Sequence, residues 1–206
     1  MLPPIIRILA GGLLLVLGLT AQAREADIDA LSAKLKGIHT YSARFEQTIY
    51  DQDRRIVQST QGELLAARPG KLRWSAEAPF AQLIVVDGVQ IWRYERDLAQ
   101  VVVSAYSDDL GGTPALLLSG DVSSIAARYR VTRGGDRFVL TPRDPDSLFR
   151  QMQVEFRGRK LTRLELLDSL GQTTVLVLKR IRLNPTLDPA LFSFTPPPGV
   201  DVLRDE

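Results

Sequence analysis

The chain of 206 residues has no cysteine and a single histidine, His39. Without cysteine there is no disulfide, no thiolate metal site and no N-terminal lipid-modified cysteine, so the fold must be held by core packing and strand pairing alone. His39, next to a helix end, reads as a surface or capping residue and not as a catalyst, since triad and His-ligand metal chemistry need partners it lacks. No G-x-S-x-G is present, and Gly111-Gly112-Thr113-Pro114 is not followed by a lysine at phosphate-loop spacing. Excess charge of one sign is also lacking. Lys+Arg total 26 against 24 Asp+Glu, and the arginines are scattered in ones and twos, so the basic stripe of a nucleic-acid binder is missing. Asp108-Asp109 reads as loop or capping acids, and Asp144 and Asp146 as turn residues. These gaps predict a protein that is not an enzyme and uses neither a cofactor nor a metal.

Long apolar runs are confined to the N-terminus. Arg7, the apolar Ile8–Leu19 segment and Ala21-Gln22-Ala23 form the charged, apolar and small-residue regions of a secretory signal peptide. Cleavage after Ala23 is expected, leaving residues 24–206 as one exported domain.

What the chain has in quantity is short β-strands. Asp27–Ile38 carries Ile28, Leu31, Leu35 and Ile38 at helical spacing, and predicts an amphipathic helix. From Tyr41 the period changes to two. Ile56–Ala67 continues as a long strand in which Gly62 suggests a bulge or bend. Glu63–Val103 then reads as four strands separated by turns at Arg68-Pro69-Gly70, Asp87-Gly88 and Glu95-Arg96-Asp97. Further short helices are expected at Thr113-Pro114-Ala115-Leu116-Leu117-Leu118 and at Val122–Ala127. Strands resume over Tyr129–Arg133, Arg137–Pro142, Leu148–Phe156, Lys160–Leu167 and Gln172–Leu183, with a helical turn at Asp188–Leu191 and a last short strand at Phe192–Phe194. About ten strands joined mainly by short turns predict a mainly β fold with some α, an antiparallel sheet folded into a barrel or half-barrel.

The chemistry on offer is apolar surface. Leu64, Leu72 and Trp74 share the inward parity of their strands, and the runs Leu83-Ile84-Val85-Val86 and Val101-Val102-Val103 are apolar on both parities. Such a sheet wants cover on both faces, and it either encloses an apolar cavity or is simply a packed core. Arg68 is in phase with the inward set. Burying it unpaired is expensive, so it must reach solvent, meet a carboxylate or donate to backbone carbonyls. In the last case its bonds would latch a covering helix.

Several blocks, in order along the chain, resemble the periplasmic lipoprotein carrier family LolA: Arg68–Trp74, Ala78–Gly88, Ile91–Val101, Thr113–Asp121 and Phe192–Val202. The resemblance implies an incomplete, unclosed antiparallel β-barrel covered by a lid of short helices, and a chaperone that accepts lipoproteins from an inner-membrane ABC transporter. It would shield their acyl chains in the periplasm and deliver them to the outer-membrane receptor LolB, as a monomer. It implies Arg68 as the lid latch and Leu64, Leu72, Trp74, Leu83, Val85 and Trp92 as the acyl-chain cavity. Ile28, Leu31, Leu35, Pro114, Leu116 and Leu117 would form the lid. Leu72 stands where some members of the family carry an aromatic residue. LolB shares the fold but is itself lipid-anchored, so the missing cysteine favours the carrier. A related module of this fold that carries another lipid or senses envelope stress is the alternative.

Overall fold

A computed structural model describes residues 26–106, 114–120 and 122–205. The signal segment, the Thr113 cap with Asp108–Gly112, and Asp121 lie outside the described residues. Twelve strands form one sheet: β1 (Thr40–Tyr50), β2 (Ile56–Ala67), β3 (Lys71–Ala76), β4 (Gln82–Asp87), β5 (Gln90–Glu95), β6 (Gln100–Ala105), β7 (Tyr129–Gly134), β8 (Arg137–Pro142), β9 (Phe149–Arg157), β10 (Lys160–Asp168), β11 (Thr173–Leu183) and β12 (Asp201–Arg204). Their spatial order is β12-β6-β5-β4-β3-β2-β1-β11-β10-β9-β8-β7. The sheet curls but does not close, and β12 and β7 remain its edges. The curl is helped by register shifts at Ser42/Arg44 between β1 and β11 and at Leu161/Arg163 between β9 and β10.

Alternation decides which side of each strand faces the core. In β3, Leu72, Trp74 and Ala76 are buried while Lys71, Arg73 and Ser75 are half-exposed. The register carries that parity from strand to strand: Leu64 lies opposite Trp74, and Trp74 opposite Ile84. The same concave face continues through Phe45, Leu178, Leu164, Val154 and Phe138. Two covers lie on it. One is helix α1 (residues 26–36), which buries Leu31 and Leu35 completely. The other is a 3-10 turn at Pro114–Leu118 followed by helix α2 (Ser124–Arg128), which buries Ala115 to Leu118 and Ile125. Covers and sheet form one contiguous apolar cluster.

Two expectations need correction. The last strand is β12, not Phe192–Phe194. Phe192 ends a 3-10 turn (Pro189–Phe192) and residues 193–200 are irregular. Pro196, Pro197 and Pro198 fix φ and lack amide donors, so no ladder forms there. Beyond them, Asp201–Arg204 pairs parallel with Gln100–Val103 along the β6 edge, a distant pairing with no local signal. Nor does Gly62 mark a bulge. It pairs in register with Phe45 on one side and Ala76 on the other. A Cβ there would meet the Ser75 carbonyl oxygen at 1.9 Å and the Phe45 ring at 2.8 Å, so glycine is needed for close approach.

The other face of β3–β6 is covered too. Leu83, Val85, Val101 and Val103 are buried beneath the C-terminal segment. Phe194 lies 5.9 Å from Trp92 and 5.8 Å from Tyr94 between ring centroids, and Arg73 Nη1 donates to the Leu191 carbonyl at 3.1 Å.

Tyr41 ties the core at β1. It is fully buried, and its hydroxyl donates to the Leu161 carbonyl. Burial pushes its phenol well above the usual tyrosine range. A raised folded-state pKa leaves its stabilising contribution intact below the unfolded value. That contribution falls as pH rises past about 10, where the unfolded phenol ionises and the folded one does not. Urea midpoints measured from pH 9 to 11 should therefore drop, and drop less steeply in Tyr41→Phe. Equal slopes would show that Tyr41 does not drive the alkaline loss.

Candidate functional site

The covers meet the sheet at the end of β2. The Arg68–Pro69 peptide is cis, and Gly70 has φ +66°. Backbone bonds fix both flanks of this turn: Arg68 N donates to His39 O at 2.9 Å, and Gly70 N to Ser119 O at 2.8 Å. The Arg68 side chain, half-buried, spreads its fork across both covers. Nε donates to Ile38 O at 3.0 Å, Nη2 to Leu117 O at 2.9 Å, and Nη1 to Gly120 O. Of the three outcomes open from sequence, donation to backbone carbonyls is present. A planar guanidinium with five donors suits this arrangement, which a point-charge ammonium could not reproduce. The carbonyls at the end of α1 and of the 3-10 turn are the orphan acceptors that a cation satisfies well.

Helix α1 is also clasped from the hairpins beside it. Lys34 Nζ pairs with Asp136 Oδ1 at 2.9 Å and donates to Gly158 O at 2.8 Å. The Lys34 ammonium, by hydrogen bond and charge, holds the Asp136 carboxyl below the usual range. Arg159 Nη2 and Asn184 Nδ2 both donate to Gly37 O at 3.1 Å, and Asn184 Oδ1 accepts from His39 N at 2.8 Å. His39 is exposed at this junction and serves as backbone, not as a ligand.

Beneath the covers lies the apolar floor. Leu64, Leu72 and Trp74 are buried on the concave face, and Trp74 stacks on Phe45 with centroids 3.6 Å apart and planes 21° from parallel. Leu31, Leu35, Leu116 and Leu117 are buried against this floor, and Ile28 packs against it half-buried. Pro114 begins the 3-10 turn.

The structure does not bring together all the residues expected in the cavity. Val85 lies opposite Arg73 and Trp92, and Leu83 opposite Ser75 and Tyr94. Leu83, Val85 and Trp92 therefore face away from Trp74, under the C-terminal segment. Trp92 directs its indole Nε1 to Asp87 Oδ2 at 3.3 Å. The concave face is lined instead by Ile84, Val86 and Ile91, with Phe45. In a run apolar on both parities, alternation alone does not choose the face. The signal was register: the Asp87-Gly88 hairpin fixes Val86 opposite Ile91, and Trp74 selects Ile84.

No group of three or more His, Cys, Asp or Glu side chains able to hold a metal occurs among the described residues. Ser119 is buried, and its hydroxyl donates to Leu116 O at 3.5 Å. Among the described residues no helix is long and apolar enough to cross a membrane.

Residues 36–195 match the family model of the outer membrane lipoprotein carrier protein LolA. An outer-membrane lipoprotein carrier protein of Hahella chejuensis is 42% identical over 189 residues, covering 89% of this chain and 90% of that protein. One from Chromohalobacter salexigens is 40% identical over 201 residues, covering 96% of each. Among solved structures, a LolA superfamily protein from Nitrosomonas europaea aligns with TM-score 0.50 at 14% identity, covering 82% of this chain and 98% of that one. An uncharacterized conserved protein from Thermus thermophilus aligns with TM-score 0.52 at 14% identity, covering 88% and 99%. These two likenesses bear on the fold.

Proposed function

This chain belongs to the LolA family of outer-membrane lipoprotein carrier proteins, and from that premise we propose that it carries triacylated lipoproteins through the periplasm. In this reading residues 1–23 are cleaved on export. The carrier receives cargo from an inner-membrane ABC transporter and delivers it to LolB. The chemistry is non-covalent. Each acyl methylene removed from water contributes about 0.8 kcal/mol, so three long chains cannot cross an aqueous space unshielded.

The observation that carries the proposal is the Arg68 fork. It ties both covers to a sheet whose concave face beneath them is apolar. Such a molecule has a closed state held by polar bonds and an open state that presents Leu64, Leu72, Trp74, Ile84 and Val86. Acyl chains and covers compete for one surface. Competition keeps affinity moderate, which a carrier that must give up its cargo requires.

The experiment is depletion in the native cell. Outer-membrane-directed lipoproteins are expected to accumulate in the inner membrane, and the protein recovered from the periplasm should bring lipoproteins with it. Unchanged lipoprotein sorting, with a free fatty acid or glycolipid as the bound species, would overturn the reading in favour of a lipid-binding module of the same fold.

A further inference from the structure

Arg68 and the clasp on α1 sit at one end of the sheet, with the Arg68-Pro69-Gly70, Gly135-Asp136 and Gly158-Arg159 turns. The opposite end carries the hairpins after β1, β3, β5, β8 and β10. Apolar side chains stand exposed there: Phe80 at 47%, Leu98 at 70%, Leu148 at 62% and Leu170 at 71%. At this end, on the concave side of β1–β5, a groove of about 390 Å³ opens. Its floor is Trp74 and Ala76, both members of the core cluster, and Phe80 and Leu98 stand at its edge.

The concave face changes character on entering this groove. Along β2 the inward residues run Ala66, Leu64, Gly62, Thr60, Gln58, and along β1 they run Ala43, Phe45, Gln47. Gln47 lies opposite Thr60. Apolar floor thus gives way to two amides and a hydroxyl within a few residues of Trp74. All three are half-buried, and none has a side-chain hydrogen bond to another described residue. Gln82, on the same wall, already donates to Glu95 Oε1. Neutral donors without protein partners, set where an apolar trough meets solvent, suit a ligand that is apolar at one end and rich in carbonyl acceptors at the other.

We infer that this groove is the portal of the carrier and seats the ester- and amide-linked glyceryl-cysteine region of the cargo, with the acyl chains running inward past Trp74. Gln47, Gln58 and Thr60 donate to the linkage carbonyls. Phe80 and Leu98 cover the first methylenes. The polypeptide of the cargo leaves at the hairpin end, away from the Arg68 turn. This rests on the lipoprotein-carrier reading and adds to it the polarity of the bound lipid.

The test uses a synthetic tripalmitoyl-cysteinyl peptide and the Trp92→Phe protein, in which Trp74 is the remaining tryptophan. Two forms of the lipopeptide carry bromine, one beside the carbonyl carbons and one at the chain ends. Quenching of Trp74 is expected to be stronger with bromine beside the carbonyls. Equal or stronger quenching by the chain-end form, or no quenching by either while the lipopeptide co-elutes with the protein, overturns the portal. Failure of the lipopeptide to bind at all overturns the carrier reading itself. A second arm replaces the amides. Gln47→Leu with Gln58→Leu should weaken binding of the ester-linked lipopeptide about tenfold, as expected for roughly two lost hydrogen bonds. The same pair should leave binding of a dialkyl-ether analogue unchanged. Equal loss for both ligands would show that the amides do not read the carbonyls.

Discussion

Arg68→Leu is expected to take up a triacylated lipopeptide more tightly and to release it to an acceptor about thirtyfold more slowly, the equivalent of ~2 kcal/mol. The fork donates to the Ile38, Leu117 and Gly120 carbonyls on both covers, and under the proposed latch these bonds are made only when the covers are down. Bonds from a charged donor contribute ~1.5–3 kcal/mol each against water, so ~2 kcal/mol for the set is a conservative figure. Under that proposal, removing them destabilises the closed, empty state and leaves the open, loaded state untouched. The apparent affinity therefore rises by the population the closed state loses. Leucine adds to the shift by extending the apolar floor. Arg68→Lys should fall between, since an ammonium keeps the charge but cannot span acceptors on two separate elements. Release rates measured with purified acceptor, for wild type and both variants, decide the matter. Transfer from Arg68→Leu at the wild-type rate would show that these bonds do not latch the covers.

Gly62→Ala is expected to lower the stability of the whole domain by ~3 kcal/mol or more, and the melting temperature by about 10 °C. The added methyl would fall 1.9 Å from the Ser75 carbonyl oxygen, which is backbone in a paired strand. The neighbouring Phe45 ring, at 2.8 Å, cannot retreat, because Trp74 is stacked on its face. Either the β2–β3 ladder parts or the aromatic pair separates. Thermal unfolding followed by circular dichroism measures the loss. Gly134→Ala is the matched comparison, since nothing lies within 4 Å of a Cβ built there, and it should be close to neutral. If both variants melt alike, close packing at Gly62 is not what its glycine serves.

Gly62 and Arg68 also show how far residue patterns reach. The alternation around Gly62 made β2 legible, but a glycine inside a strand fits a bulge as well as a close approach. Only the ring of Phe45, brought in from β1, separates the two. Arg68 was identifiable as a charge in phase with an apolar set. Its acceptors lie 30, 49 and 52 residues away, and no local pattern encodes them. Leu83 and Val85 show the converse. Their composition promised burial, which is correct, but they are buried under Phe194 and its neighbours and not beside Trp74. Two-sided apolarity predicts two covers without saying which cover is the lid.

By itself the sequence determined the class of structure and the class of chemistry. Period-two patterning with glycine-bearing turns requires antiparallel strands. The absence of cysteine removes thiolate chemistry, and the surplus of apolar sheet face calls for covers. These are consequences of local geometry and composition, which neighbours along the chain fully specify. The tertiary structure decided which face each strand buries, that β12 returns to the β6 edge, and that one arginine joins two covers to one sheet. Those outcomes depend on register and on pairings between distant residues. A shift of one residue in register inverts every side chain, and periodicity alone does not fix it.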